Sequence, residues 1–373
     1  MLVVTQAVKR RRWATLLAAA ATILAVAATG CAPDDSPPDD VDIGARAAHT
    51  ATALNGGGVL VAGGCIVDGC ATATNSAAVV QGRSVKRAPG MKQARDAHTA
   101  TRLPDGRVLV VGGFAGEDES PASSTELYDP ETATWRNAGE LAVGRGGHAA
   151  AMLGAGRVMV AGGWVASRTY TDTVELFDSR TLQFERGPTL PTAVDGLAAV
   201  ALPDGRALVT GGQRLQGLAT DMAVLISEDG RTIRSVGPML TPRFKHTMVA
   251  LRDGRVLVIG GTTNDRELLN STELFDPNTL SFQPGPALHV GRYKLGGAVA
   301  QVGNDRFVVG GGGIGVELVD VAAGTTSPLP EAPSSVSSFG TITAADDLLY
   351  FIGGYDRDIR LTGTFLVLRQ PGQ

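Results

Sequence analysis

The stretch that decides the fold spans residues 95–129. It reads Arg95-Asp-Ala-His98, an apolar run, Leu103-Pro-Asp-Gly-Arg107, Val108-Leu-Val-Val111, Gly112-Gly113, a variable loop and Glu126-Leu-Tyr-Asp129. Variants of it occur seven times, with glycine pairs that begin at Gly63, Gly112, Gly162, Gly211, Gly260, Gly310 and Gly353. The pairs are 49 or 50 residues apart, except for a last interval of 43. Such a period predicts an architecture made of stacked copies of one small unit.

Each unit predicts four short β-strands, which in the second unit are residues 98–101, 107–111, 125–128 and a strand that begins at residues 134–135. Asp105-Gly106 predicts a tight hairpin between the first two strands, because both residues tolerate positive φ. The second strand is apolar along its whole length, which is typical of a strand buried on both faces. One sheet of this size cannot cover both its faces, so the copies are expected to pack around an axis as a propeller.

The repeated residues resemble those of the kelch-repeat family. The matched positions are the glycine pairs, a cluster of Glu, Tyr or Phe, and Asp, and an aromatic residue on the fourth strand. The clusters are Glu126, Tyr128 and Asp129; Glu175, Phe177 and Asp178; and Glu273, Phe275 and Asp276, and the aromatic residues are Trp135, Phe184 and Phe282. The resemblance implies an all-β fold, a seven-bladed propeller with four antiparallel strands in each blade. The fourth unit lacks the acidic cluster, with Ala223-Val-Leu-Ile226 in its place. The sixth unit has Val319 where the cluster has Tyr or Phe.

The last unit supplies only three strands, predicted at residues 339–344, 348–352 and 361–368. A missing fourth strand would leave a sheet edge open, and proteins generally cover such edges. We therefore expect residues 40–45, from Asp40 to Ala45, to complete the seventh blade. The predicted propeller spans residues 41–373.

Residues 1–30 have the pattern of a signal peptide, because a basic stretch (Lys9 to Arg12) precedes sixteen apolar residues, too few to span a bilayer. The stretch ends in Ala28-Thr29-Gly30-Cys31, which resembles the bacterial lipobox, although that family usually has Leu where Ala28 stands. The resemblance implies lipidation at Cys31 and a lipid-anchored protein of the bacterial cell envelope, at the outer membrane or cell surface rather than the inner membrane. An ordinary secretory peptide and an uncleaved anchor are the alternatives.

Residues 31–40 are acidic and rich in proline, and they predict a solvated, semi-extended tether. Removing the four positive charges of residues 9–12 changes the formal net charge from −4 to −8. That charge argues against nucleic acid or anionic lipid as a partner, since both require a basic surface. The membrane would then be reached through the lipid alone, and a monomer is expected.

Cys65 and Cys70 flank a short loop after the first glycine pair. In an oxidising envelope these two cysteines favour a disulfide that shapes the loop. A metal half-site is the weaker alternative, because no further ligands accompany the cysteines in the sequence.

Four histidines, His49, His98, His148 and His246, lie three residues after an arginine in their units. They could form a metal cluster only if the periodicity were ignored. As members of separate innermost strands they are better interpreted as repeated packing and hydrogen-bonding groups. The repeat assigns Gly196, Leu295 and Phe339 to this position in the other units, which fits a tolerant structural site. His289 lies outside the register and predicts a surface-loop residue.

The arginines precede the innermost strands and are expected near the mouth of the central channel. They are Arg46, Arg95, Arg145, Arg243 and Arg292. Guanidinium groups arranged in a partial ring could bind a carboxylate in bidentate fashion. The alternative is that each arginine pairs with an acid of its own repeat, such as Glu126, Glu175 or Glu273.

The loops after the glycine pairs are long and differ in every unit, and variable loops on a rigid scaffold commonly carry binding specificity. Phe114, Trp164, Tyr170 and Tyr355 lie on these loops. They are candidates for stacking on a sugar or a peptide, with burial between blades as the alternative.

No catalytic or cofactor motif emerges from the sequence, which therefore predicts a non-catalytic binding or scaffold protein that recognises a protein or a glycan. No metal and no cofactor are expected. The alternative is a carbohydrate-active enzyme, because kelch propellers resemble a sialic-acid mutarotase and the central domain of galactose oxidase. The second resemblance implies Cys65 beside a tyrosine and two histidines.

Overall fold

A computed structural model describes residues 43–70, 72–115, 120–166, 169–215, 217–334 and 338–371. The predicted signal peptide, the lipidation site at Cys31 and the predicted tether lie outside these residues. Within them, no helix is long and apolar enough to cross a membrane. The two helical segments described, Asp68–Cys70 and Gly154–Gly156, are short 3-10 turns.

Seven antiparallel sheets follow one another along the chain, one for each glycine pair. The first three are Thr50–Ala53, Val59–Ala62, Ala77–Gln81 and Ser84–Ala88; Thr99–Arg102, Val108–Val111, Ser124–Asp129 and Thr134–Glu140; and Ala149–Met152, Arg157–Ala161, Thr173–Asp178 and Gln183–Thr189. The next two are Ala198–Ala201, Ala207–Thr210, Ala223–Ile226 and Ile233–Ser235; and Thr247–Ala250, Val256–Ile259, Thr272–Asp276 and Ser281–Pro284. The last two are Val299–Gly303, Arg306–Val309, Glu317–Asp320 and Thr325–Pro328; and Thr341–Ala345, Leu348–Ile352 and Phe365–Arg369.

We call these sheets blades 1 to 7. Three of the long loops add two-stranded ribbons, Phe114–Ala115 with Ser120–Pro121, Trp164–Val165 with Thr169–Tyr170, and Gln213–Arg214 with Leu218–Ala219. The predicted seven-bladed, four-stranded all-β architecture is confirmed, and blade 7 has three strands among the described residues.

Seven apolar clusters fill the spaces between neighbouring blades, and the seventh, which includes Val59 and Tyr350, joins blade 7 to blade 1. The second strands explain how one sheet serves two clusters. Val108 and Val110 pack toward blade 1, while Leu109 and Val111 pack toward blade 3. Successive side chains of a strand face opposite sides, so an uninterrupted apolar run buries both faces at once.

The glycine pairs hold the blades together. The second glycine donates its backbone N–H to a carbonyl oxygen of the next blade, as from Gly113 to Arg145 at 2.9 Å and from Gly354 to Arg46 at 2.7 Å. A Cβ on Gly112 would lie 2.5 Å from the Arg145 carbonyl oxygen, and this glycine has a φ of +60°. The pair is therefore required by close backbone approach as well as by conformation.

The ring closes where blade 7 meets blade 1. The innermost strands Thr50–Ala53 and Thr341–Ala345 lie against each other, and the Gly82 N–H donates to the Tyr350 hydroxyl at 2.8 Å. Residues 43–45 belong to none of the strands, so the prediction that they complete blade 7 is wrong for them, while residues 40–42 lie outside the described residues. Ile43 instead packs its side chain into the cluster between blades 1 and 7.

Candidate functional site

The predicted arginines lie inside the blades and do not form a ring around the channel. Four of them have fully buried side chains and bind a glutamate of the same blade: Arg95 with Glu126 at 3.0 Å, Arg145 with Glu175 at 2.7 Å, Arg243 with Glu273 at 2.5 Å and Arg292 with Glu317 at 2.9 Å. Arg46, also buried, donates to the carbonyl oxygens of Gly63 and Ile43 and to the Ser76 hydroxyl. The idea that these five groups bind a carboxylate ligand is therefore corrected: their guanidinium groups are buried and bind partners within the blades.

These ion pairs also organise the links between blades. Glu126 accepts the backbone N–H groups of Lys92 and Gln93 at 2.6 and 3.1 Å, and Glu273 accepts those of Leu240 and Thr241. Burial lowers the pKa of each of the four arginines, and the neighbouring glutamate opposes that shift. Buried charges are tolerated when they are paired and further hydrogen-bonded, as these are, although Arg95 Nε has no hydrogen-bond partner.

Blade 4 shows that the pair is dispensable when both partners change together. Val194 occupies the arginine position, since its carbonyl oxygen accepts the Gly163 N–H. Val224 occupies the glutamate position opposite Val209, as Glu126 lies opposite Val110. Both valines are buried in the cluster between blades 3 and 4. An apolar pair of suitable shape can replace a buried ion pair without leaving an unpaired charge.

The histidines form a repeated bond between blades, as their periodicity indicated. The His49 ring nitrogen Nε2 lies 3.0 Å from the Thr341 hydroxyl, that of His98 lies 3.0 Å from Thr50, and that of His148 lies 2.8 Å from Thr99. In blade 5 the partner of His246 is Thr210 at 2.8 Å. Burial lowers the pKa of His49, His148 and His246 to about 3 and that of His98 well below its usual value, so all four rings are neutral at pH 7.

Two register assignments need correction. The glycine contacts place Leu197, rather than Gly196, at the histidine position of blade 4, because its side chain meets Gly162 as His148 meets Gly112. Phe339 likewise precedes the equivalent position in blade 7. Both residues belong to a different ring of positions, which lies two residues after the arginine in five blades and two residues after Val194 in blade 4. Phe339 belongs to this ring because its carbonyl oxygen accepts the Ala48 N–H, as that of Ala48 accepts the Ala97 N–H.

That second ring surrounds the mouth of the central channel, and we call its members the mouth positions. All seven have a positive φ between 47° and 65° and line one cavity of about 470 Å³: Ala48, Ala97, Gly147, Gly196, Lys245, Lys294 and Phe339. Blades 1 to 4 contribute small residues here, while blades 5 to 7 contribute two lysines and a phenylalanine. The mouth positions thus carry small side chains on one side of the ring and cationic or aromatic side chains on the other.

Two of the four predicted aromatic residues line this cavity. Phe114 and Trp164, both partly exposed, come from the loops of blades 2 and 3, and their ring centroids lie 6.3 Å apart, edge to face. Tyr170 does not line the cavity but packs edge to face against Trp164, with ring centroids 5.9 Å apart. Tyr355 does not reach the cavity, because it is buried with Cys65 and Ala47 beneath the first loop. Burial raises its pKa to about 12.

Charged groups from blades 4 to 6 also line the cavity. Lys245 binds Asp265 at 2.6 Å. The Lys294 ammonium lies 4.9 Å from the centroid of Tyr293 and 4.6 Å from that of Phe339. Asp195 accepts a hydrogen bond from the Gln213 side-chain amide at 3.3 Å, and burial raises its pKa to about 6. Aligning the repeats on the residue before the histidine position would have found both lysines. Asp195 occupies the same repeat position as Asp96 in blade 2, and the repeat does not report that Asp195 lines the cavity.

A disulfide joins Cys65 and Cys70, whose Cα atoms lie 5.0 Å apart. Asp96 lies near the two sulfurs, and its carboxylate and both sulfur atoms are within 4.8 Å of one another. With both sulfurs bonded to each other, neither is a thiolate ligand for a metal. The same bond prevents Cys65 from forming the thioether that the galactose-oxidase resemblance would require.

Comparison with known proteins agrees with this architecture. A family model described as the KLHDC2/KLHL20/DRC7 Kelch-repeats domain matches residues 97–312, which is 216 of the 373 residues. The chain belongs to the kelch-repeat family. A solved structure titled "Structure of YjhT" superposes on this kelch propeller with a TM-score of 0.54 and 14% sequence identity, covering 88% of this chain and 96% of that one. At that identity the likeness shows the fold alone. No curated protein matches the chain.

Proposed function

We propose that this kelch propeller is a non-catalytic binding module that takes a glycan or a protein segment into the cavity at its channel mouth. The observation that carries the proposal is the contrast around the mouth positions, where an aromatic wall from blades 2 and 3 faces lysines from blades 5 and 6. Blade cohesion does not require this asymmetry, since the mouth positions of blades 1 to 4 are alanine or glycine.

The cavity favours a narrow ligand over a flat protein surface. Exposed aromatic rings stack on the apolar faces of sugars, and nearby carboxylates such as Asp195 accept hydrogen bonds from sugar hydroxyl groups. A pocket with an apolar wall and a few convergent polar groups is the usual form of a small-ligand site. A glycan end therefore fits the cavity best, and a protein partner would have to insert a loop or a chain end.

We further propose that the propeller is attached to a bacterial envelope through lipid on Cys31, with residues 31–40 as the spacer and a monomer as the working unit. The lipobox-like sequence supports this address, and two or more acyl chains would anchor the domain stably. Metabolic labelling with palmitate tests it: the wild-type protein should incorporate label and fractionate with membranes. A Cys31→Ser variant should lose both properties, and equal labelling of this variant would contradict the proposal.

Binding is tested on a glycan array and then by calorimetry with the full chain. Trp164→Ala should lose about fivefold in affinity, because stacking on one aromatic ring contributes on the order of 1 kcal/mol. Trp135→Ala is the matched control, since Trp135 lies on the outermost strand of blade 2 against Tyr128. If both variants fold and Trp164→Ala binds as tightly as the wild type, the cavity is not the binding site and the proposal is wrong.

A sugar-converting enzyme similar to a mutarotase is the second candidate, and Asp195 is the observation that favours it. A carboxyl group with a pKa of about 6 in an accessible cavity can donate and accept a proton near neutral pH. If this candidate holds, the protein should speed sugar anomerisation as followed by NMR, and Asp195→Asn should abolish the effect. Ligand binding without any acceleration would leave the binding module as the function.

A further inference from the structure

Lys294 differs from the other cations of the innermost region in how its charge is balanced. The buried arginines of blades 2, 3, 5 and 6 each hold a glutamate, and Lys245 holds Asp265. Among the residues that the structure describes, no carboxylate lies within ion-pair distance of the Lys294 ammonium. Its neighbours are instead the rings of Tyr293 and Phe339.

The surroundings of Lys294 favour a charged ammonium group at the cavity wall. Two aromatic rings less than 5 Å away favour a cation at this point. Burial and the neighbouring Lys245 lower the pKa of Lys294, and Asp265 opposes that shift without cancelling it. A partly desolvated ammonium at the wall of an open cavity is stabilised most by an anion that enters the cavity.

The balance of charge around the cavity indicates which anion. Lys245 and Lys294 are positive, and Asp265 and Asp195 are negative when ionised, while Tyr170 and the neighbouring histidine rings are neutral at pH 7. Lys245 is already paired with Asp265, so Lys294 is the lysine of the cavity wall whose ammonium group is available to a single negative charge. A doubly charged phosphate would lack a second free cation and would be repelled by both aspartates.

Resting on the binding function proposed above, we propose that Lys294 is the anion-binding residue of the channel mouth and that the ligand carries a single carboxylate. The carboxylate would accept hydrogen bonds from the ammonium, and the remainder of the ligand would extend toward Phe114 and Trp164. The carboxylate could come from an acidic sugar or from the end of a peptide, since both present the same group.

Calorimetry with the full chain separates the contribution of the carboxylate from that of the rest of the ligand. Glucuronate and glucose share a ring and differ at the carboxylate, and a short peptide with a free or an amidated C-terminus makes a second matched pair. In at least one pair the carboxylate form should bind about tenfold more tightly, the effect expected of a charge-assisted hydrogen bond. The pair that shows this difference identifies the source of the carboxylate.

Lys294→Met removes the charge and retains an unbranched apolar side chain. It should abolish the tenfold preference, because it weakens binding of the carboxylate member far more than binding of the neutral member, and Lys294→Arg should restore most of the preference. Lys86→Met is the matched control, because Lys86 is exposed on the outermost strand of blade 1. Preference that survives in Lys294→Met, or tighter binding of glucose 6-phosphate than of glucuronate, would overturn the assignment. Equal binding of both members in each pair would overturn it as well but leave the binding function intact, whereas absence of all binding would defeat both.

Discussion

The arginine positions and the mouth positions lie two residues apart in the same repeated stretch, yet they have opposite roles. Arg243 is fully buried and holds Glu273, whereas Lys245 lines the cavity. The arginine position is the same in five units, and the mouth positions vary from alanine to lysine and phenylalanine. The comparison teaches that in this propeller the repeated polar residues hold the blades and the links between them, while polar residues at the non-repeated mouth positions line the cavity.

The largest expected effect breaks the structural side of the comparison. Arg145→Met leaves the Glu175 carboxylate buried without its cation, which should lower the free energy of unfolding by about 3–5 kcal/mol. Urea denaturation measures this change. Arg180→Met is the matched control, because the Arg180 side chain is 76% exposed although it also pairs with an aspartate, and exposed ion pairs contribute little to stability. Similar losses in the two variants would contradict the assignment of Arg145 to blade cohesion.

The glycine pairs belong to the same structural class and provide the next test. Gly113→Ala should cost about 2–3 kcal/mol, because its φ is +93° and a Cβ would overlap the Asp96 carbonyl oxygen. The change in the thermal midpoint measures it. Gly363→Ala, where nothing lies within 4 Å and φ is not positive, should be nearly neutral. If Gly113→Ala were equally neutral, close approach between blades 2 and 3 would not be the reason for the pair.

A histidine variant tests cohesion through pH. The folded pKa of His148 is about 3, below the ordinary value of 6.5, so its contribution to stability is fully present above pH 6.5 and is lost as pH falls toward 3. His148→Leu copies the residue that blades 4 and 6 use at this position. Between pH 7 and pH 4.5 it should lose about 2 kcal/mol less stability than the wild type. Parallel pH profiles for the two proteins, measured by urea denaturation, would show that His148 is not buried and neutral.

The smallest effect sharpens the other side of the comparison. Burial raises the folded pKa of Asp195 to about 6, so stability associated with this group is present below pH 4 and is lost as pH rises through 6. Asp195→Asn should therefore stabilise the protein at pH 7.5, by about 1 kcal/mol after allowance for its partial exposure. A loss of stability in this variant would place Asp195 among the cohesive residues. The expected gain would mark it as a residue retained despite a cost to folding.

Part of the candidate site was accessible from sequence. Phe114 and Trp164 were found because long variable loops follow each glycine pair, and the alternative pairing of Arg95, Arg145 and Arg243 with glutamates was foreseen from the repeat. Lys245 and Lys294 were missed, because a residue that departs from a repeat looks like ordinary variation unless its position is known to border a cavity. Asp195 was missed because its altered pKa arises from burial, which no local pattern reports.

The sequence by itself determined the blade number, the strand order and the identity of the residues that join blades. Those features are repeated, and the physical requirement behind them, covering both faces of every sheet, is the same in each unit. Only the tertiary structure decided which non-repeated residues meet. Mouth positions from all seven blades and loop residues from blades 2 and 3 line one cavity because the ring closes, so Phe114 and Lys294, which are distant in the sequence, border the same space. The tertiary structure also decided the role of the arginines. The Arg243 side chain is buried and pairs with Glu273, whereas the Lys245 side chain, two residues later, lines the cavity.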